Sequence, residues 1–460
     1  MAKGPRNALR DISGQKKGRS NATWTRLCPA PRLTAEIRSA TVPDTHHPTT
    51  PIWTPTPGKA AHRNLCTDCG LSRTDMAGDC GKACQFIKPD YPGLEAQVHG
   101  RSAQADRGEE RFFGVVRTMH RARLEPALPG AQWTGLTTRL AERLLETGAV
   151  DAVLTMVADK TDRWKPVPAI ITEASGMAAA RGMRMGYAPL LSLLEPARAA
   201  GHRRIAVIGI PCQVYALRVI EAELGFDAIH VIGTPCSDNT TTERFHEFLA
   251  LLSDTPDSIS YLEFRADYHV ELRFEDGGRR EIPFLRLPIA DLPPDFFPVT
   301  CRTCVDYTNR LADITVGYMG GDGEQWLIVR NERGQALLER LGDAVVLSAL
   351  TDKGARKGSV TGFIENTRLA AGGLPLRRMP DWLRGVMAWV MPRFGPRGLE
   401  FARTRVEMKA AETVLHLRRS HPRRMRNMIP DHVWALVAPY GLRPEPGEHE
   451  DTSKEKRPPD

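Results

Sequence analysis

At 460 residues, 41% of them hydrophobic, the chain has the length of two or three domains and can bury a sizeable core, which excludes a small stapled scaffold. Its net charge of +8 sits mostly in the first sixty residues, where ten Lys or Arg face three Asp or Glu; the rest of the chain is close to neutral and does not read as a nucleic-acid binder. The start is polar and basic and no run reaches the ~18 apolar residues that span a bilayer, so the expectation is a cytoplasmic protein with at most peripheral membrane contact.

Residues 1–60, rich in Pro, Thr, Arg and Lys without helical or strand periodicity, read as a disordered basic tail; Cys28 stands alone in it as a free surface thiol. Next comes CTDCGLSRTDMAGDCGKAC, in which Cys66, Cys69, Cys80 and Cys84 are spaced C-x2-C-x10-C-x3-C. Thiolates two or three residues apart turn toward one centre, and Gly70, Gly78 and Gly81 allow the turns. The following FIKPDYPGLEAQVHGR, with two prolines, reads as a loop; its His99 is a candidate proton donor near a redox site, with a structural histidine as the plainer alternative.

From residue 130 the pattern becomes α/β. GAQWTGLTTRLAERLLETG gives a turn and a helix with Leu136, Leu140, Leu144 and Leu145 on one side, and its N-terminus at Trp133-Thr134-Gly135 is a weak phosphate-binding signal. AVDAVLTMVA is a buried strand. RRIAVIGIPC and AIHVIGTPC then repeat one design, a β-branched strand followed by Gly-x-Pro-Cys and a helix, which predicts parallel neighbouring strands with Cys212 and Cys236 at their carboxyl ends. Residues 259–287 alternate as strands with a hairpin turn at Asp276-Gly277-Gly278. Cys301-x2-Cys304 follows, then a strand over Ile314–Val316, a Gly-rich loop over 317–323 and a strand over Trp326–Val329. The C-terminal third is helical; DWLRGVMAWVM places Trp382, Val386, Trp389 and Val390 on one face, read as core or as a face for a bilayer surface or tetrapyrrole.

Without Cys28, eight cysteines form two sets of four: a local set and a set of Cys212, Cys236, Cys301 and Cys304 that folding must assemble. Eight thiolates match two 4Fe-4S clusters or two zinc sites, and the second set's place at strand ends favours clusters. The expected fold is α/β, a mixed sheet with helices on both sides, with an iron-sulfur segment at 61–110, an α/β domain with the second cysteine set at 111–345, a mostly helical region at 346–442 and a disordered tail at 443–460.

CTDCG, YPGLEAQVHGR, GAQWTG, KPVPAIITEASGMAAARG, GIPCQVYALR, VIGTPC, CRTCVDYTNRLADITVGYMGG and VRNERG together resemble the deazaflavin-dependent hydrogenase beta-subunit family, over about residues 60–440. The likeness is strongest to its photosynthetic branch, the 7-hydroxymethyl chlorophyll a reductases and ferredoxin-dependent 3,8-divinyl (proto)chlorophyllide 8-vinyl reductases. The resemblance implies FAD, two 4Fe-4S clusters, reduced ferredoxin as electron donor and a chlorophyll-precursor tetrapyrrole as substrate. It makes 111–345 the flavin and iron-sulfur domain and places the flavin against Trp133, Thr134, Gly135, Thr137 and Thr138 and against Tyr318, Met319 and Gly320. The short loop GGDGEQW looks more like the 8-vinyl reductases, so the expected reaction is vinyl to ethyl, with 7-hydroxymethyl reduction as the alternative and a zinc-stabilised pigment scaffold as the reading from another class.

Overall fold

The computed structural model describes residues 52–53, 66–265, 267–317 and 324–449; the basic tail with Cys28, apart from 52–53, and the last residues lie outside them. A nine-stranded sheet is its centre. In chain order the strands are β1 (Ile52–Trp53), β2 (Thr118–Leu124), β3 (Ala152–Ala158), β4 (Pro166–Ile171), β5 (Arg204–Gly209), β6 (Ala228–Gly233), β10 (Ile314–Gly317), β11 (Gln325–Val329) and β12 (Val345–Ser348). In space they run β1-β4-β3-β5-β6-β10-β11-β2-β12. The middle, β3-β5-β6-β10, is parallel, and the flanking pairs are antiparallel.

Alternation along the strands puts helices on both faces, as expected. Ile205 and Val207 of β5 pack with Val214 and Leu217 of the Pro211–Ile220 helix, whereas Ala206 between them packs with Leu140 and Leu144 of the Leu136–Glu146 helix. The repeated strand–Cys–helix design is borne out: β5 and β6 pair in parallel from Arg204↔Ala228 to Gly209↔Gly233.

A second sheet holds β7 (Ile259–Phe264), β8 (His269–Phe274) and β9 (Arg279–Pro283), with Gly277 at φ +84° in the expected turn. The C-terminal helices Arg356–Ala370, Leu399–Ser420 and Asp431–Val437 form a core with Trp326 and Ile328 of β11.

Two expectations change. The segment around His99 is a helix, Tyr91–His99, because Asp90 caps it by accepting the Gly93 N–H at 2.9 Å, Pro92 falls in the first turn where its missing N–H costs nothing, and Tyr91, Leu94 and Val98 are buried. The apolar face of the Asp381–Phe394 helix is not core: Trp382 is 72% exposed, Trp389 56% and Phe394 68%.

Candidate functional site

The first quartet is built by one loop. Short 3-10 turns over Leu71–Arg73 and Asp75–Cys80 fold it back on itself, and Gly70 makes the tightest point, at φ +106° with its Cα so close to the Pro189–Ser192 backbone that a Cβ would lie 2.6 Å from Pro189 O. Cys66 Sγ accepts the Asp68 N–H at 3.3 Å. Burial pushes the Cys69 thiol up to about 12, and the neighbouring thiols of Cys80, Cys66 and Cys84 add to the rise. Burial likewise raises Cys84, with Cys80 and Cys66 contributing.

The second quartet comes together from three separate segments. Cys212 lies in the first turn of the helix after β5 and Cys236 just beyond β6; Cys301 is in the short Val299–Arg302 helix and Cys304 follows it. All four line one cavity, walled also by Thr67, Gln85, Tyr187, Asp238 and Asn239. Burial raises every thiol, Cys301 to about 11 and Cys304 to about 12, and Cys212 and Cys236 well above the ordinary value. The two sets lie near each other: the thiols of Cys304, Cys301 and Cys69 all help to raise Cys212. Thr67, between two first-set cysteines in sequence, hydrogen-bonds Cys212.

No disulfide ties the eight described cysteines. Among the described residues no three His, Cys, Asp or Glu side chains converge on a point that a single ion would fill. The second-set sulfurs instead stand around a cavity, which suits a cubane offering one iron corner to each thiolate. Side chains and backbone attend the sulfurs: Gln85 Nε2 donates to Cys304 Sγ at 3.6 Å and is itself fixed by Tyr91, whose hydroxyl donates to Gln85 Oε1 at 2.7 Å.

A buried ion group backs this cavity. Lys409 Nζ donates to Asp238 Oδ1 at 2.7 Å and to Glu412 Oε2 at 3.0 Å. Burial works against its charge, but the two carboxylates outweigh burial and raise its pKa. One turn on, Thr413 Oγ1 donates to the Cys304 carbonyl at 2.8 Å, so the Leu399–Ser420 helix holds the cysteine in place.

The expected flavin residues lie at the sheet edge of the Leu136–Glu146 helix. Trp133 (φ +49°) and Gly135 (φ +89°) turn the chain into it, and a Cβ on Gly135 would sit 2.9 Å from the side chains of Leu128 and Ala131. Thr134 and Thr138 are buried and Thr137 is half-buried. Two N–H groups of the turn are already engaged, Trp133 by Glu263 Oε1 at 3.3 Å and Leu136 by Gln325 Oε1 at 2.9 Å. Tyr318, Met319 and Gly320 lie outside the described residues. The strand leading to them ends beside the second set: Gly317 closes β10 so near the Pro235 ring that a Cβ would lie 2.3 Å from Pro235 Cδ, one residue before Cys236.

His99 is in none of these places. It lines a separate cavity of ≈ 460 Å³ with Arg101, Arg107, Arg117, Arg330 and Arg333. Its Nε2 lies 2.9 Å from the Arg310 carbonyl and its Nδ1 3.2 Å from Asn331 Nδ2, which fixes the tautomer with the proton on Nε2. Burial lowers its pKa to about 3. The ring is neutral and its N–H committed, an arrangement suited to holding the Arg310 segment rather than to giving up a proton.

Spacing does not mark Gln85, Thr67, Tyr187, Asp238 or Lys409. Thr67 and Gln85 stand beside cysteines in the sequence, a signal that nearness alone supplies; nothing local marks Tyr187 or Lys409.

The chain matches two family models of the coenzyme F420 hydrogenase/dehydrogenase beta subunit, one for its N-terminal part over residues 119–195 and one for its C-terminal part over residues 202–353. It is 34% identical over 381 residues to an uncharacterized protein of Nostoc sp., covering 83% of this chain and 94% of that one. It is 34% identical over 392 residues to the chloroplastic 7-hydroxymethyl chlorophyll a reductase of Oryza sativa subsp. japonica, covering 82% and 83%. The beta subunit of a coenzyme F420 hydrogenase from Methanococcus voltae is 27% identical over 247 residues, 51% of this chain and 84% of that one.

Proposed function

The chain belongs to the coenzyme F420 hydrogenase/dehydrogenase beta-subunit family, in its photosynthetic branch, and on that premise we propose that it is an oxidoreductase of chlorophyll metabolism that reduces the 8-vinyl group of a 3,8-divinyl (proto)chlorophyllide to ethyl. The observation that carries the reading is the pair of adjoining thiol quartets, one in a loop and one across strand ends, beside the strand that leads into the expected flavin loop.

Saturating a vinyl group takes two electrons and two protons, while reduced ferredoxin, the proposed donor, gives electrons singly. Two 4Fe-4S clusters, when bound, pass electrons one at a time, and FAD stores two and returns them as hydride. Cys66, Cys69, Cys80 and Cys84 would hold one cluster and Cys212, Cys236, Cys301 and Cys304 the other. Burial keeps most of these groups as thiols until metal displaces their protons. Trp133, Thr134, Gly135, Thr137 and Thr138 are the proposed flavin cradle with Tyr318, Met319 and Gly320, and the left-handed turn at Gly135 opens the helix start that would face a phosphate. His99 enters as a positioning group. The exposed Trp382–Trp389 face is the proposed point of peripheral membrane contact.

The test begins with protein purified without oxygen. Iron, sulfide and FAD, with broad visible absorption that dithionite bleaches, are expected; a colourless, zinc-containing protein would sink the proposal. Supplied with reduced ferredoxin and a divinyl pigment, the enzyme should yield product heavier by two hydrogens. A second reading, reduction of a 7-hydroxymethyl group to methyl with loss of water, is favoured by the 34% identity to a reductase of that name. Offering both pigments to the same preparation and weighing the products separates the two.

A further inference from the structure

The two quartets differ in what hydrogen-bonds their sulfurs. In the first, the donors belong to the loop's own backbone: Asp68 N–H to Cys66 at 3.3 Å, with backbone bonds from Leu71 to Cys69 and from Phe86 to Cys84. In the second, side chains from distant segments also reach in. Gln85 donates to Cys304 at 3.6 Å, the Thr67 hydroxyl meets Cys212, and the Tyr187 hydroxyl faces Cys301.

The Tyr187 hydroxyl is buried. It is directed at the Cys301 thiol without reaching full hydrogen-bond geometry and meets no other acceptor among the described residues, and the residue lines the same cavity as Cys212, Cys236 and Cys301. A buried phenol normally finds an acceptor. The backbone before it is held by hydrogen bonds. Asn239, another wall of that cavity, accepts the Gly186 N–H at 3.2 Å and donates to the Gly186 carbonyl at 2.8 Å, clamping the peptide immediately before Tyr187. Gly186 also packs closely on Thr242, where a Cβ would lie 2.4 Å from its hydroxyl. The acceptor that such a donor awaits is a sulfur carrying negative charge.

We infer that Tyr187 donates a hydrogen bond to the sulfur shell of the centre held by Cys212, Cys236, Cys301 and Cys304, and thereby sets that centre's reduction potential. The inference rests on reading these thiols as a 4Fe-4S site. One electron from a one-electron reductant enters the centre, no bond forms or breaks, and the sulfurs become more negative. A neutral donor therefore stabilises the reduced form more than the oxidised one and raises the potential. The phenol keeps its proton throughout, since an ordinary phenol, with a pKa of about 10, is protonated at neutral pH. Tyr187 is thus a positioning residue for electrons, remote from the substrate's reacting carbon.

The experiment is Tyr187→Phe in the full chain, purified without oxygen, with iron and sulfide counted and both centres titrated by dithionite under EPR. Iron and sulfide should match the wild type, one midpoint potential should move to more negative values, and the other should stay. Two unmoved potentials in a fully loaded variant overturn the inference. A wild-type chain lacking iron and sulfide instead removes the cluster reading beneath it, so the two failures are told apart by the metal count. Where the variant does not accumulate as folded protein, wild-type chain made with 3-fluorotyrosine serves: its stronger hydroxyl donor should move one potential to more positive values, and no movement overturns the inference. Tyr91 is labelled too and reaches Cys304 through Gln85, so the same labelling in the Tyr91→Phe chain must keep the shift; a shift lost there overturns the inference.

Discussion

The side-chain amide of Asn331 bridges His99 and Asp313, standing 3.2 Å from His99 Nδ1 and 2.8 Å from Asp313 Oδ1. An amide that donates to both fixes the imidazole as a neutral acceptor at Nδ1. Burial holds the His99 pKa at about 3, against an ordinary 6.5. Between those values the unfolded chain binds a proton that the folded chain refuses, so His99 makes stability fall as pH drops from about 6.5 toward 3, by about 1.4 kcal/mol per pH unit. His416, held at about 4 by burial and by Arg302, adds a similar slope over a narrower range. His99→Gln should flatten the acid limb by one proton's share, read from urea unfolding at neutral and mildly acid pH. An unchanged slope would show that the ring is not held neutral.

Arg218 and Asp313 form an ion pair at 3.0 Å in which both side chains are 0% exposed. Asp313 also accepts from Val231 N at 2.7 Å and from Arg333 Nε at 2.9 Å, tying β6, β10 and the helix after β11 together. Arg218→Met leaves a buried carboxylate with one cation fewer, and a loss of about 3–5 kcal/mol is expected. Thermal unfolding at neutral pH checks it; a loss below about 1 kcal/mol would mean that Arg333 and the amides suffice.

Cys69→Ala and Cys236→Ala should each remove about half of the iron and sulfide, since each strips one corner ligand from a different quartet. The two variants should differ in function. With the first quartet taken as the place where electrons come in, Cys69→Ala should block reduction by ferredoxin while FAD remains bound. Loss of FAD from that variant would contradict the order of the relay.

Residues 375–397 carry five arginines and one acidic residue beside the exposed Trp382, Val386, Trp389 and Phe394, and Arg393 stacks over Trp389 at 4.6 Å. Aromatic side chains flanked by arginine suit the boundary of an anionic lipid surface. Vesicles rich in phosphatidylglycerol should sediment the protein at low salt, and the double variant Trp382→Ser, Trp389→Ser should stay in the supernatant with its cofactor content intact. Equal recovery of both proteins in the supernatant would rule the contact out.

Much of the site is written locally. The Cys-x2-Cys and Gly-x-Pro-Cys patterns fix their own turns, and β-branched runs such as IAVIG fix the strands that carry Cys212 and Cys236, so both quartets are readable before any tertiary contact is known. The helix at Tyr91–His99 is not, because the two prolines around it suggest a loop, while its N-cap Asp90 is set by a backbone N–H donation to Tyr215 Oη at 2.8 Å from far along the chain. Tyr187 and Lys409 are equally hidden: each takes its place through a neighbour across the fold, Cys301 for one and Asp238 for the other. The exposed Trp382 face shows the reverse failure, an apolar periodicity that describes an amphipathic helix correctly without saying whether protein covers it.

Thr67 belongs to the loop of the first quartet and is also a wall of the second. A chain leaving the ribosome N-terminus first therefore holds a complete local set of four thiols long before Cys301 and Cys304 exist, and the late set inherits part of its enclosure from the early one. On the proposed cluster reading, the two centres would then be filled in sequence. A cell short of cluster-delivery capacity would accumulate chains filled at the first site and empty at the second, and an error in the first loop would cost both.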